Sequence, residues 1–261
     1  MKVPVFMYHE VNTKSVFPEL EKYINKKYIV DNCCFEEQLC YMNSHHYKAV
    51  TISELPKIQA MDKTAAVTFD DGYMGNYLYA FKTLRKFDFK ATFFITTDWI
   101  GLPNMLGWKE LKEMSESGME IGSHTCSHLL LGEEPENRIR EELQKSKLLL
   151  ESNLNKKIEV ISYPNGNFNQ TVNKIALECG YSTACVSEFG YWDTASKGFI
   201  IPRIPAVNTI KSFRSILKNN NPYVFKELAL DKIKKGLKKL IGGRIYNRLY
   251  MKIFNLREIK K

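Results

Sequence analysis

An α/β fold of parallel strands and covering helices is what this sequence predicts, and three observations predict it. Short apolar runs that read as buried strands alternate with stretches of helical periodicity along most of the chain. Chemically reactive residues follow directly on two of those runs, the position at which (β/α) barrels keep their reactive groups. A chain of 261 residues with 44% hydrophobic content can fill one large barrel domain and carry a small appendage.

The elements follow in order. Val3-Pro4-Val5-Phe6-Met7-Tyr8-His9 is a short apolar strand that ends in a histidine. Phe35 to Met42 has apolar positions at i, i+4 and i+7 and predicts a helix. Tyr47 to Thr51 predicts a strand, and Ile52-Ser53-Glu54-Leu55 the start of another helix. Ala65 to Phe69 reads as a buried strand, and residues 91–97 as a central one. Trp108 to Gly118 predicts a helix ended by its glycine, and Met119 to Gly122 a strand. Residues 136–154 predict a charged amphipathic helix, and Gln170 to Cys179 another, closed by Gly180. Ile201-Pro202-Arg203-Ile204-Pro205 is a further apolar run around one cation. This alternation argues for a parallel sheet or barrel, and a doubly wound open sheet would give a similar pattern.

Two motifs carry chemistry. Val67-Thr68-Phe69-Asp70-Asp71-Gly72 closes one strand, and Ser123-His124-Thr125-Cys126-Ser127-His128 closes another, with His124 lying 53 residues after Asp71. Adjacent carboxylates and a histidine pair at i, i+4 are the parts of a mononuclear metal site with its own base. Two imidazoles and one carboxylate hold a divalent ion and leave positions open for water and substrate. The second carboxylate can then take a proton from the activated water. Such parts suit hydrolysis of an amide or ester. Each motif alone has a plainer reading: Asp-Asp-Gly as a turn, and His-x-x-x-His as a surface or core pair.

These two stretches resemble the first two motifs of the polysaccharide deacetylases, the NodB-homology or carbohydrate esterase family 4 domains. The resemblance covers most of residues 1–210. It implies a distorted (β/α) barrel and a metal-dependent N-deacetylase. It also implies Asp70 as general base and Asp71, His124 and His128 as metal ligands. The family's third motif, Arg-x-Pro-Tyr-Gly, is matched by Ser162-Tyr163-Pro164-Asn165-Gly166. Pro164 and Gly166 fit, and with Tyr163 they are expected to border the substrate. Asn165 stands at the tyrosine position and can still offer its backbone N–H to an oxyanion. Ser162 stands where the arginine should be. Arg203 can replace that arginine or be a surface cation. Tyr191-Trp192-Asp193 loosely echoes the fourth motif and makes Trp192 a candidate substrate contact.

The fifth motif, Leu-x-His near the C-terminus, has no counterpart there, because none of the five histidines lies after His128. Met7-Tyr8-His9 has its form at the opposite end of the chain. This resembles the circularly permuted members, those acting on poly-N-acetylglucosamine among them, in which the last barrel strand has moved to the front. His9 would then be the acid that protonates the leaving amine.

The six cysteines form no Cys-x-x-Cys knuckle, and Cys126, between the two ligand histidines, is expected to pack rather than ligate. No apolar run reaches the length of a membrane span, and no leader opens the chain, so a cytoplasmic protein acting on a precursor is expected. The formal net charge is +9, and all of the excess lies in residues 226–261, with 12 Lys/Arg against 3 Asp/Glu. Apolar residues recur there at helical spacing from Leu230 to Leu256. Residues 219–261 therefore predict a basic amphipathic helical tail on a catalytic barrel of residues 1–218. Its alternatives are packing on the barrel and peripheral contact with a membrane. Nucleic-acid binding is not expected, since no nucleic-acid fold accompanies the charge. The expected cofactor is Zn2+, with Ni2+, Co2+ or Fe2+ able to occupy the same donors. The leading function is removal of an N-acetyl group from an amino sugar in a saccharide that can be lipid-linked. The alternatives are a small-molecule amidohydrolase and a non-catalytic glycan or membrane adaptor.

Overall fold

A computed structural model describes residues 1–15, 24–58, 63–196 and 198–219. The basic tail expected over 219–261 thus lies, but for its first residue, outside the described residues. Eight parallel strands form the central sheet. They are β1 (Val5–Tyr8), β2 (Lys48–Val50), β3 (Thr64–Phe69), β4 (Thr92–Ile95), β5 (Glu120–Ser123), β6 (Val160–Ser162), β7 (Thr183–Phe189) and β8 (Ile200–Pro205). Seven of them close on themselves in the order β1-β8-β7-β6-β5-β4-β3-β1. Closure comes from the N-terminal strand. Val5 to Tyr8 pairs with Ala66 to Phe69 of β3, while Phe6 and Met7 pair with Ile204 and Pro205 of β8. This ring excludes the open doubly wound sheet. β2 pairs with the first half of β3, whose last residues Thr68 and Phe69 pair with β4.

The helices are α1 (Asn32–Ser44), α2 (Lys82–Lys86), α3 (Trp108–Glu116), α4 (Glu136–Leu154), α5 (Gln170–Glu178) and α6 (Ile210–Leu217). α4 has the predicted bounds, and α3 and α5 fall within one or two residues of theirs. The predicted helix at Ile52 is confined to one 3-10 turn, Leu55–Lys57. Ile52 and Leu55 are buried with the barrel floor, and the amides of Ile52 and Ser53 donate to the Glu120 carboxylate. The segment is held as a plug and does not continue as a helix.

Side chains alternate across each strand, and this period builds the site from below. Phe6, Tyr8, Val67, Phe69, Phe93, Ile95, Ile161, Ala184 and Ile204 face the helices in the main core. Val5, Ala66, Phe94, Val160, Cys185 and Ile201 form a separate apolar layer inside the ring. Two residues further along β3, β6 and β8, the inward positions become polar: Thr68, Ser162 and Arg203, all fully buried. The Arg203 guanidinium lies over the Phe94 ring at 5.6 Å, so the apolar layer is its floor. The inward position on β5 is Gly122, where a Cβ would come within 2.6 Å of Phe94. Two more residues along come His9, Asp70 and His124. The same alternation that fills the barrel delivers these three to its C-terminal mouth.

Candidate active site

Asp70 continues β3 with its side chain inward, and Asp71 reverses the chain. Asp71 has φ +75° and Gly72 φ +92°, both left-handed. That kink brings two successive carboxylates to one mouth, which an extended strand cannot do. Strained backbone of this kind persists where the surroundings enforce it. The Gly72 amide bonds back to the Asp70 carbonyl, and its own carbonyl accepts from Leu106. The histidine motif is likewise not a helix. Thr125 and His128 have φ +68° and +61°, and the loop is stitched to the end of β4 by Thr97 and Asp98 amides on the Thr125 and Cys126 carbonyls.

Asp71, His124 and His128 offer ligand atoms that all lie within 4.8 Å of one another. His124 Nε2 and His128 Nε2 stand 3.4 and 3.5 Å from Asp71 Oδ1, which is buried and accepts no hydrogen bond. His124 Nδ1 is 2.7 Å from the Ser162 carbonyl. A carbonyl only accepts, so Nδ1 carries a proton and Nε2 is the nitrogen left facing the centre of the group, where it supplies a lone pair once deprotonated. An orphaned buried carboxylate oxygen facing two imidazole nitrogens fits a divalent cation with open positions. Burial opposes ionisation of Asp71, but the surrounding histidines outweigh it and hold the carboxyl far below its ordinary range. Burial and the neighbouring His124 push His128 down to about 4, so it stands neutral, as a ligand must. Cys126 takes no part in this group: its buried Sγ points at the Glu142 carbonyl.

Asp70 belongs to a different network. Arg203 Nη1 and Nη2 each donate to one Asp70 oxygen at 2.7 Å, a bidentate pair. Arg203 also donates to Thr68 Oγ1 at 3.1 Å, to Ser162 Oγ at 2.8 Å and, through Nε, to the Val186 carbonyl at 3.2 Å. All five of its N–H groups are thereby used. Burial would raise the Asp70 pKa, but the guanidinium outweighs it and keeps the carboxyl below the ordinary range. Arg203 is thus not a surface cation. It stands on β8 yet holds the carboxylate that the arginine at the position of Ser162 was expected to steady. The Ser162 hydroxyl, 3.3 Å from Asp70 Oδ2, completes the same cluster.

His9 follows β1 onto this rim. The Asp70 amide donates to the carbonyl of Tyr8, so His9, the next residue, stands beside Asp70 at the same mouth; burial lowers its pKa, opposed chiefly by the charges of Asp71 and Asp70. Its ring stacks on Tyr28 with centroids 4.4 Å apart, as Trp99 stacks on His128 at 5.3 Å. Asn165 sits in a turn after β6 with φ +54°. The hydrogen bonds of that turn run from the Gly166 and Asn167 amides, and the Asn165 amide is in neither. Pro164 and Gly166 frame the turn.

Two expected substrate contacts are not brought here. Trp192 pairs with Val3, before β1 begins, and is buried with Val3, Ile52 and Leu55. It seals the opposite end of the barrel. Tyr163 is fully buried with its ring on Phe168 and its hydroxyl on Asn173 of α5, so its side chain serves the helix layer. Outward alternation from Ser162 explains that orientation. Conversely, Tyr28 and Trp99, which stack on His9 and His128, escaped notice in the sequence. Only Trp99 carried a signal, its place just after a strand end.

Comparison with known proteins agrees with this geometry. The family model described as polysaccharide deacetylase matches residues 57–184, which include both charged motifs and the Ser162 turn but neither His9 nor Arg203. The Bacillus subtilis protein YxkH, provisionally named a polysaccharide deacetylase, is 30% identical over 194 residues, 72% of this chain. A Staphylococcus aureus poly-β-1,6-N-acetyl-D-glucosamine N-deacetylase is 32% identical over 179 residues, 60% of this chain. The matches span 66% and 62% of the lengths of those two relatives. Among solved structures, the Streptococcus pyogenes deacetylase PplD in complex with acetate superposes with a TM-score of 0.76 at 28% identity, covering 85% of this chain and 99% of that one. Sequence motifs, closed parallel barrel and relatives converge, and the chain belongs to the polysaccharide deacetylase family.

Proposed function

We propose that this chain is a metal-dependent hydrolase that removes the N-acetyl group from an amino sugar in a glycan or glycan precursor. One observation carries the reading. An Arg203-paired carboxylate and a buried Asp-His-His group share one barrel mouth with His9. The name of the staphylococcal relative supports an N-acetylglucosamine-containing saccharide as substrate, and the acetate in the streptococcal structure supports acetyl release.

A divalent ion held by Asp71, His124 and His128 would acidify a water and polarise the acyl oxygen, and zinc suits these donors, with nickel, cobalt or iron as substitutes. Asp70 accepts the proton of the attacking water. Arg203 keeps that carboxylate ionised and fixes its orientation, so the lone pair faces the mouth. The Asn165 N–H donates to the acyl oxygen as it gains charge, an interaction typically worth about 2.7–4 kcal/mol. His9 delivers a proton to the departing nitrogen. The aromatic rings of Tyr28 and Trp99 border the histidines and give the sugar apolar walls. Residues 226–261 supply the positive charge for a peripheral contact with an anionic membrane, which suits a lipid-linked acceptor on the cytoplasmic side.

The test is acetate release from β-1,6-linked N-acetylglucosamine oligomers by the zinc-loaded chain. Equimolar acetate and free amine are expected. Hydrolysis of small amides alone would favour the small-molecule amidohydrolase, and oligomer binding without acetate a non-catalytic adaptor.

A further inference from the structure

His124 is fixed by its Nδ1 bond to Ser162, but His128 has no comparable anchor on its ring. Among the described residues, its stacking on Trp99, its edge contact with the His124 ring at 5.0 Å and its amide bond to Thr125 Oγ1 hold it besides Asp71. The position of its ring therefore depends on the loop backbone, and that loop holds two left-handed non-glycine residues. Such residues cost of order 1–3 kcal/mol each and persist only where the surroundings enforce them.

What enforces them is a carboxylate from outside both motifs. Glu142 lies on the inner face of α4, 2% exposed. Its Oε2 accepts the amides of Cys126 and Ser127, both at 2.9 Å, and its Oε1 accepts the Ser127 hydroxyl at 2.8 Å. Arg138, one turn earlier on α4, approaches Oε1 at 3.1 Å and balances the charge. The two amides are the middle peptide groups between the histidines. They point at the carboxylate as a nest of successive N–H groups points at a bound anion. The start of the loop is pinned to the same helix, since Ser146 Oγ is 2.7 Å from Ser123 Oγ, which accepts the Thr125 amide.

We infer that Glu142 is a positioning residue for the metal site, setting His128 against Asp71 and His124 through the loop backbone. This rests on the metal-site reading above. Outer partners of metal ligands typically contribute about 10–100-fold in affinity. Glu142→Gln keeps the shape of the side chain but replaces one acceptor oxygen with a donor and removes the charge that two amides and a hydroxyl face.

The experiment uses the 261-residue chain stripped of metal and titrated with zinc against a chromophoric chelator, alongside thermal melts of the metal-free proteins. Glu142→Gln is expected to bind zinc about 10–100-fold more weakly than wild type while the melting temperature of the metal-free chain stays within a few degrees. Ser127→Ala, which removes only the hydroxyl donor, is expected to lose several-fold. Wild-type zinc affinity in Glu142→Gln overturns the inference, as does a loss of affinity matched by a loss of folded protein. If Glu142→Gln does not fold, unchanged affinity in Ser127→Ala overturns it instead. A wild-type chain that takes up no zinc overturns the metal site itself, and this inference with it.

Discussion

Arg203 grips Asp70 through two parallel hydrogen bonds of 2.7 Å, and both residues are almost wholly inside the barrel. The pair joins β8 to the end of β3 across the lumen. Removing one partner from a buried ion pair typically costs about 3–5 kcal/mol, because it leaves an unpaired charge. Arg203→Ala should therefore lower stability by about that amount. Arg203→Lys should keep most of the stability but lose the bidentate geometry, and turnover with it, while zinc stays bound. Urea melts and zinc stoichiometry on the two variants check this. Full turnover in Arg203→Lys would show that the fork geometry is not needed.

Asp70→Asn should retain zinc and lose most turnover, because nothing then accepts the proton of the attacking water. Asp71→Asn should weaken zinc instead. Metal analysis after dialysis separates the two. If Asp70→Asn lost the metal and Asp71→Asn kept it, the roles are exchanged.

The Asp70 pair also sets an acid limit. Its folded-state pKa lies below the unfolded value, which is about 3.9. Its contribution to stability is therefore full above that value and fades as pH falls through the folded value. In Asp70→Asn that contribution is absent at all pH. The stability difference between wild type and the variant should accordingly shrink as pH drops below about 4. A difference that stayed constant down to pH 2 would count against a depressed carboxyl.

Much of this architecture can be read from residue order, and the places where it cannot have physical reasons. The inward parity of 5-7-9, 66-68-70 and 160-162 follows from alternation, but Asp70 and His9 were found through their motifs, Asp70-Asp71-Gly72 and Met7-Tyr8-His9. The Asp71 turn was legible only because Gly72 follows it. Arg203 could be read as the stand-in for the motif arginine or as a surface cation, and the sequence did not decide between them, since pairing across a barrel lumen leaves no spacing in the sequence. Trp192 was misplaced because a motif echo says nothing about which end of a barrel a residue closes. Tyr28 was missed because it arrives from a connection between short strands, where no periodicity marks the side facing the site.

His9→Ala should keep zinc and lower turnover by about 10²–10⁴, the usual contribution of a general acid. The acid loses its proton as pH rises, so the alkaline limb of the rate profile should disappear in the variant. Steady-state rates across pH on both proteins give the comparison. A variant with wild-type rate and profile would remove His9 from the chemistry and leave it a packing partner of Tyr28.

The central claim is that Asp71, His124 and His128 hold the one ion on which acetate release depends. Its most direct test is zinc titration into the chelator-stripped chain, with bound metal and acetate release followed in the same sample. Activity should return in proportion to occupancy and saturate at one ion per chain. His124→Ala and His128→Ala should show neither event while remaining folded. Acetate release that survives complete removal of the metal, or full zinc content in either histidine variant, would contradict the account.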